Sequence, residues 1–347
     1  MRTRARTPAL LAAAALAASA LVGGAALPAA AGDVGRAAPS AACSRPAVAG
    51  TSTLDVAFEG VTYPVQVHVP AGLDARRSVP LVLDLHGSSA NGPVQARVSG
   101  MSEVADDEGF VVANPSGAIP LAPASPPDPD GSWAWNVPGV PTTAGQLPPP
   151  TARDDVAYLT HVIDVVSDRF CTDDRRTYAT GHSGGGRMAS ALGCKASDRV
   201  AAIAPNAGLR AGRPDPADVS RPGAAGCRPE RAVPVVTFHG RPDVVNPYLG
   251  NGDLRWGYTV PLAVETWADL DDCRRGPRTT QVAEHVTLTT WTGCRQGAAV
   301  HFYDLADGGH TWPGSDGPPH GPGLVSQEVD ASRIIWDFFE GYRLRGA

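Results

Sequence analysis

Several protein classes are excluded by what this sequence does not contain. Its six cysteines show no C-x-x-C spacing, so a zinc ribbon or finger does not frame the fold and no metal is expected. No internal repeat and no sustained heptad is present, which excludes solenoids and coiled coils. No basic patch is evident and the formal net charge is −6, so nucleic acid is not an expected partner. The one long apolar stretch, Ala9 to Leu27, is rich in Ala and Gly, follows Arg2, Arg4 and Arg6, and precedes Ala29-Ala30-Ala31. That reads as a secretory signal peptide over 1–31, not as a membrane anchor, and no membrane association is expected after its removal. Its loss takes away three arginines and no acid, which moves the charge from −6 to −9. Such a surface suits neutral substrates better than polyanions.

What is present is an alternation of apolar runs and helical patterns. Residues 32–50, rich in Ala, Gly and Pro, read as a loose leader, and 51–347 as a single large domain. Leu54–Phe58 and Tyr63–Val69 flank Glu59-Gly60 and suggest an antiparallel hairpin. Short apolar runs at 80–85, 110–114, 177–181, 200–205 and 233–238, and the alternating segment 299–305, suit parallel strands. A last helix is expected over roughly 325–341. The fold class is therefore α/β: a doubly wound, mostly parallel sheet with an antiparallel N-terminal hairpin. Six cysteines in an exported chain imply disulfides, and proximity along the fold favours Cys273–Cys294 and Cys194–Cys227, leaving Cys43–Cys171. Asp154-Asp155 and Asp271-Asp272 do not read as metal sites; Asp155 starts a helix whose apolar face is Val156, Leu159, Val162, Ile163, Val166 and Phe170.

The most informative stretch is Gly181-His182-Ser183-Gly184-Gly185, between a strand and a helical pattern. A G-x-S-x-G in that setting is the nucleophile elbow of the α/β-hydrolase fold, in which a tight turn exposes the serine hydroxyl over a helix N-terminus. Such a serine needs a base and an acid to orient it, in the chain order Ser, Asp or Glu, His. Asp243 lies just past the run 233–238, and His310 lies in the turn after 299–305. Asp304 and Asp307 are rival acids, and His86 and His239 rival bases, but the two histidines sit in His-Gly turns that they are better placed to brace. For the oxyanion, the main-chain N–H groups of Ser88, after the strand 80–85, and of Gly184 are the expected donors.

These motifs carry a resemblance. Leu83-Asp-Leu-His-Gly87, Tyr178-Ala-Thr-Gly-His-Ser-Gly-Gly-Gly-Arg-Met188, Arg199-Val-Ala-Ala-Ile-Ala-Pro205, Val235-Val-Thr-Phe-His-Gly240 with Asp243, and Gly308-Gly-His-Thr-Trp-Pro-Gly314 resemble the secreted α/β-hydrolases that include polyhydroxybutyrate depolymerases and feruloyl and acetylxylan esterases. The resemblance spans roughly Thr53 to Gly341. It implies a serine esterase without cofactor, with Ser183 as nucleophile, Asp243 as orienting acid and His310 as base, acting on hydroxyalkanoate oligomers or polyester. Feruloyl or acetyl esters of plant polysaccharide are the alternative, and a serine peptidase or a non-catalytic binding protein on the same scaffold are further ones. Two departures bear on the polymer: no linker and separate polymer-binding domain is visible, and His182 stands where the family often has an apolar residue.

Between Ala118 and Pro150 there are ten prolines around Trp133 and Trp135. A loop of this length is commonly functional, and it leaves a strand on the same sheet edge as Ser183. Trp133, Trp135, Tyr248 and Trp312 are the expected pocket residues, with Trp256 and Tyr258 in the loop after Asp243; for Trp133 and Trp135, pinning of the loop to the body is the competing reading. No oligomeric state is assigned.

Overall fold

A computed structural model of the chain describes residues 48–73, 78–122 and 126–345. The expected signal peptide, most of the leader, and Cys43 lie outside the described residues. The strands are β1 (Gly50–Phe58), β2 (Val61–Val69), β3 (Val79–Leu85), β4 (Val111–Asn114), β5 (Ile119–Pro120), β6 (Trp133–Ala134), β7 (Thr172–His182), β8 (Ala202–Asn206), β9 (Pro214–Asp215), β10 (Asp218–Pro222), β11 (Val235–Gly240), β12 (Arg275–Ala283), β13 (Val286–Thr292) and β14 (Val300–Leu305). Ten of them form one sheet in the order β1-β2-β4-β3-β7-β8-β11-β14-β13-β12, and β5–β6 and β9–β10 are small separate ribbons. The six central strands, β4-β3-β7-β8-β11-β14, run parallel. They coincide with the six expected segments, and the N-terminal hairpin β1–β2 stands at one edge as expected.

The opposite edge departs from expectation. There β13 and β12 add an antiparallel hairpin to β14. Along β12 nearly every residue is exposed, so no alternation of apolar and polar residues marks it as a strand. The last helix is also shorter than its pattern.

The helices are α1 (Gly92–Ser99), α2 (Met101–Glu108), α3 (Asp155–Phe170), α4 (Gly184–Lys195), α5 (Val260–Leu270) and α6 (Ala331–Phe339). Strand residues alternate between two apolar clusters, one on each face of the sheet: Leu81, Leu83 and Leu85 face α3, α4 and α5, while Val82, Tyr178 and Phe238 face α2 and α6. Each fully buried Leu, Val or Phe contributes about 1.5–3 kcal/mol relative to exposure. Asp154 caps α3 by accepting from the N–H groups of Val156 and Ala157. Asp155 is buried and paired with Arg153 at 2.6 Å, and Asp271 accepts the Val233 N–H at 2.8 Å. Both acids are thus engaged in structure.

Cys194–Cys227 and Cys273–Cys294 are disulfides. Among the described residues no helix is long and apolar enough to cross a membrane.

Candidate active site

Ser183 occupies the junction of β7 and α4 with φ 54° and ψ −110°. Positive φ in a non-glycine residue is strained, and here the surroundings hold it. Its N–H donates to the Asn206 carbonyl at 2.9 Å, and its own carbonyl accepts the Arg187 N–H at 2.9 Å. Glycine is required around it by close approach. A Cβ on Gly185 would lie 2.0 Å from the Leu85 carbonyl oxygen, and one on Gly184 would lie 2.7 Å from Ser88 Oγ. Gly185→Ala is therefore expected to lower stability by about 3–5 kcal/mol, as overpacking against immovable backbone does at the upper end of point mutations. Urea unfolding checks this; an unchanged midpoint would contradict the tight elbow.

The structure brings His310 and Asp243 together. His310 Nδ1 donates to Asp243 Oδ2 at 2.6 Å, with both side chains buried. Asp243 Oδ1 accepts the N–H groups of Val245 and Asn246, each at 2.8 Å. Burial pushes this carboxyl up, but the His310 hydrogen bond and charge, His239 and the Asn246 N–H outweigh it and hold it below its ordinary value. His310 reaches the elbow by ring contact: its ring lies 4.7 Å from that of His182, next to Ser183.

Asn206, at the end of β8, ties these parts together. Its backbone carbonyl holds Ser183, and its side-chain amide donates to His182 Nδ1 at 2.9 Å and to the Thr311 carbonyl at 3.0 Å. One residue thus links the serine turn to the loop of His310. Sequence reasoning missed it, because an Asn at a strand end carries no distinguishing signal. His320 was also missed; it donates to the Ser88 carbonyl at 3.3 Å and packs 6.0 Å from the His182 ring.

The rival residues are committed elsewhere. Asp304 pairs with Arg241 at 2.9 Å, and Asp307 stands 3.7 Å from His285. His86 donates to the Gly87 carbonyl and accepts the Gly117 N–H, and burial pushes its pKa down to about 3. His239 donates to the Asn246 carbonyl at 2.8 Å, and burial pushes it down to about 4, against the pull of Asp243 3.4 Å away. Both imidazoles are neutral braces at neutral pH. His182 is lowered well below its ordinary value, by burial first and then by the charge of its histidine neighbours.

Ser88 and Gly184 adjoin: a Cβ on Gly184 would lie 3.1 Å from Ser88 N. Ser88 is held by its neighbours, since Ser89 N–H donates to the Trp133 carbonyl and Trp133 N–H to the Ala90 carbonyl, both at 3.0 Å. The proline-rich loop therefore borders the site through its backbone.

The aromatic residues expected to wall a pocket have other jobs. Trp133 and Trp135 are 1% and 3% exposed. Their indole N–H groups donate to the carbonyls of Asp128 and His86, and the Trp135 ring lies 4.8 Å from that of His86. They pin the loop, leaving almost no ring surface for a ligand. Trp312 is 2% exposed and donates to Ser332 Oγ at 3.0 Å, fastening the His310 loop to α6. Tyr248 donates to Asp304 Oδ2 at 2.8 Å and is only partly buried. For the three tryptophans the correction has one physical cause: a large apolar ring with a single polar atom is as well served by the core as by a pocket, provided the core offers an acceptor.

No protein-family model matches the chain. It is 26% identical over 254 residues to feruloyl esterase B of Piromyces equi, a match that covers 71% of this chain and 42% of that enzyme. The chain therefore spans less than half the length of that relative. It is 25% identical over 285 residues to the bifunctional acetylxylan esterase/xylanase XynS20E of Neocallimastix patriciarum, covering 81% of this chain and 34% of that protein. In structure it is similar to an acetyl xylan esterase from Aspergillus awamori, with TM-score 0.53 and 15% identity, covering 83% of this chain and 99% of that one. The fold is that of the α/β-hydrolases. In α/β-hydrolase terms Ser183 stands at the elbow, Asp243 follows β11 and His310 follows β14, all at the C-terminal edge of the parallel strands, where ligands bind in open α/β sheets.

Proposed function

We propose that this chain is a serine carboxylic-ester hydrolase. The observation that supports the reading is the buried 2.6 Å hydrogen bond from His310 to Asp243, with the His310 ring 4.7 Å from that of His182, the neighbour of a serine held at positive φ on a helix N-terminus. In this reading Ser183 Oγ attacks the ester carbonyl and His310 Nε2 takes its proton. Asp243 fixes the tautomer, keeping the proton on Nδ1, and stabilises the imidazolium. The N–H groups of Ser88 and Gly184 hold the oxyanion. His310 returns the proton to the leaving alcohol, and water repeats the cycle on the acyl-enzyme.

Two substrate classes follow from the motif resemblance. Similarity to proteins named feruloyl esterase and acetylxylan esterase supports, for this chain, feruloyl or acetyl esters of plant polysaccharide over hydroxyalkanoate oligomers. The apolar N-terminal segment and the disulfides Cys194–Cys227 and Cys273–Cys294 support export to an oxidising compartment.

The test is covalent labelling. A fluorophosphonate is expected to modify Ser183, and His310→Gln to slow labelling by ~10²–10⁴-fold, the usual contribution of a general base. Equal labelling of the two proteins would remove the proposed base. A panel of methyl ferulate, acetylated xylan and hydroxybutyrate oligomers then sorts the substrate classes. Release of hydroxybutyrate alone would reverse the preference stated above.

A further inference from the structure

Along the face of α4 that starts one turn after Ser183 runs a groove that ester chemistry leaves unused. It is narrow, with a cavity volume of about 20 Å³, room for one small group rather than a large ligand. Its charge is one-sided: Arg187, Lys195, Arg210, Arg213 and Arg255 border it and no carboxylate does. In a chain with 35 acids against 29 Lys and Arg, this is the reverse of the overall balance.

Two of these cations are inside the protein. Arg187 and Arg210 are each 4% exposed. Nε and one terminal nitrogen of Arg187 are buried with no protein acceptor, as is Nε of Arg210. Arg210 lies over the Trp256 ring, 3.0 Å from its centroid, and donates to the Leu209 and Trp256 carbonyls. Asp253, whose charge reaches both guanidiniums, is already committed: Oδ1 accepts from the Arg255 and Trp256 N–H groups and Oδ2 from the Asn251 amide. Asp215, in the neighbouring ribbon, is paired with Arg221 at 2.8 Å. Burial first, and then the Arg255 charge, pull Arg187 down to about 9; burial likewise pulls Arg210 down to about 9. Both remain cations at neutral pH. A buried cation without a counter-charge is costly, and a planar guanidinium fork matches the oxygens of a carboxylate or phosphate.

We propose that this groove is a binding site for a small oxyanion, a carboxylate or phosphate group, held by Arg187 and Arg210 with Arg255 beside them. Its position ties it to the site described above. Arg187 N–H donates to the Ser183 carbonyl, and Arg255 donates to Asn246 Oδ1 and the Val245 carbonyl, in the turn whose N–H groups hold Asp243. Two sources share the chemistry: a carboxylate carried by the ester substrate, and a free oxyanion of the medium. The first rests on the ester-hydrolase reading; the binding itself does not.

The test is a titration of the full chain with sodium phosphate and, separately, sodium acetate, against sodium chloride at matched ionic strength, followed by Tm. A saturable rise of about 2 °C is expected at tenfold excess over Kd, and its loss in Arg187→Met. A wild-type Tm that tracks ionic strength alone in all three salts overturns the proposal. Should Arg187→Met fail to fold, the rim variant Arg213→Ala is expected to weaken binding several-fold, and unchanged binding there counts against the site. A kinetic arm separates the sources. If phosphate raises KM for p-nitrophenyl hemisuccinate but not for p-nitrophenyl acetate, the substrate carboxylate is the occupant; if it raises neither, the occupant is the free ion. If neither ester is cleaved, the ester-hydrolase reading fails while the thermal arm still decides the anion site.

Discussion

Ser183→Ala is expected to lower kcat for ester cleavage by about 10⁶-fold while leaving the fold intact. The size follows from the role: without Oγ there is no acyl-enzyme, and what remains is binding plus the oxyanion donors, which leave a residual rate above water alone. Stability should change by no more than about 1 kcal/mol. Alanine keeps the Cβ that already sits at φ 54°, and both backbone hydrogen bonds of residue 183, to Asn206 and from Arg187, survive. Single-turnover kinetics beside thermal unfolding separates the two effects. Near-normal turnover would remove Ser183 from the chemistry, and a collapse of Tm would mean that the hydroxyl is structural.

Asp243→Asn should cost about 10⁴-fold in kcat, close to the effect of the same change in other triads. The local hydrogen bonds explain why so conservative a change is so damaging. The amide oxygen of Asn would take the place of Oδ1, which accepts from the Val245 and Asn246 N–H groups. Its NH₂ would then face His310 Nδ1, where a carboxylate oxygen now accepts. The imidazole would have to accept there and carry its proton on Nε2, the nitrogen that should take the proton of Ser183. A second readout follows from the pKa direction. Asp243 titrates below its ordinary 3.8 in the folded chain. Its contribution to stability is therefore complete above that value and is lost as pH falls through the lower folded one. Tm-against-pH curves should show this acid-side loss in the wild type and not in the Asn variant. Parallel curves would mean that the carboxylate is not held as described.

The legibility of this protein in its sequence follows burial. Four of the six parallel strands, β3, β4, β8 and β11, were readable because each is a short, nearly continuous apolar run, as burial on both faces demands, and β14 by its alternation. The hairpin β12–β13 was not, because its Thr- and Arg-rich strands lie on an exposed edge where no apolar alternation is needed. The elbow was legible because contact with the Leu85 carbonyl leaves only glycine at residue 185. Asp243 and His310 could be placed by chain order, since each follows a recognisable strand. Asn206, His320 and the buried arginines could not. Asn206 and His320 take their roles from neighbours 24 to 232 residues away, and nothing in the local sequence of any of these residues records its enclosure.

By itself, then, the chain specified a layered α/β architecture, a strained serine turn and the order of its partners, because these depend on local pattern and on the sterics of a few glycines. Tertiary structure alone decided where the tryptophan rings went, that Asn206 links the serine turn to the His310 loop, and that Arg187 and Arg210 are enclosed with no carboxylate bonded to them. The reason is that burial and charge pairing are properties of the packed whole: the same Trp, His or Arg is a ligand contact at a surface and a structural element in a core, and only the neighbours brought in by folding distinguish the two.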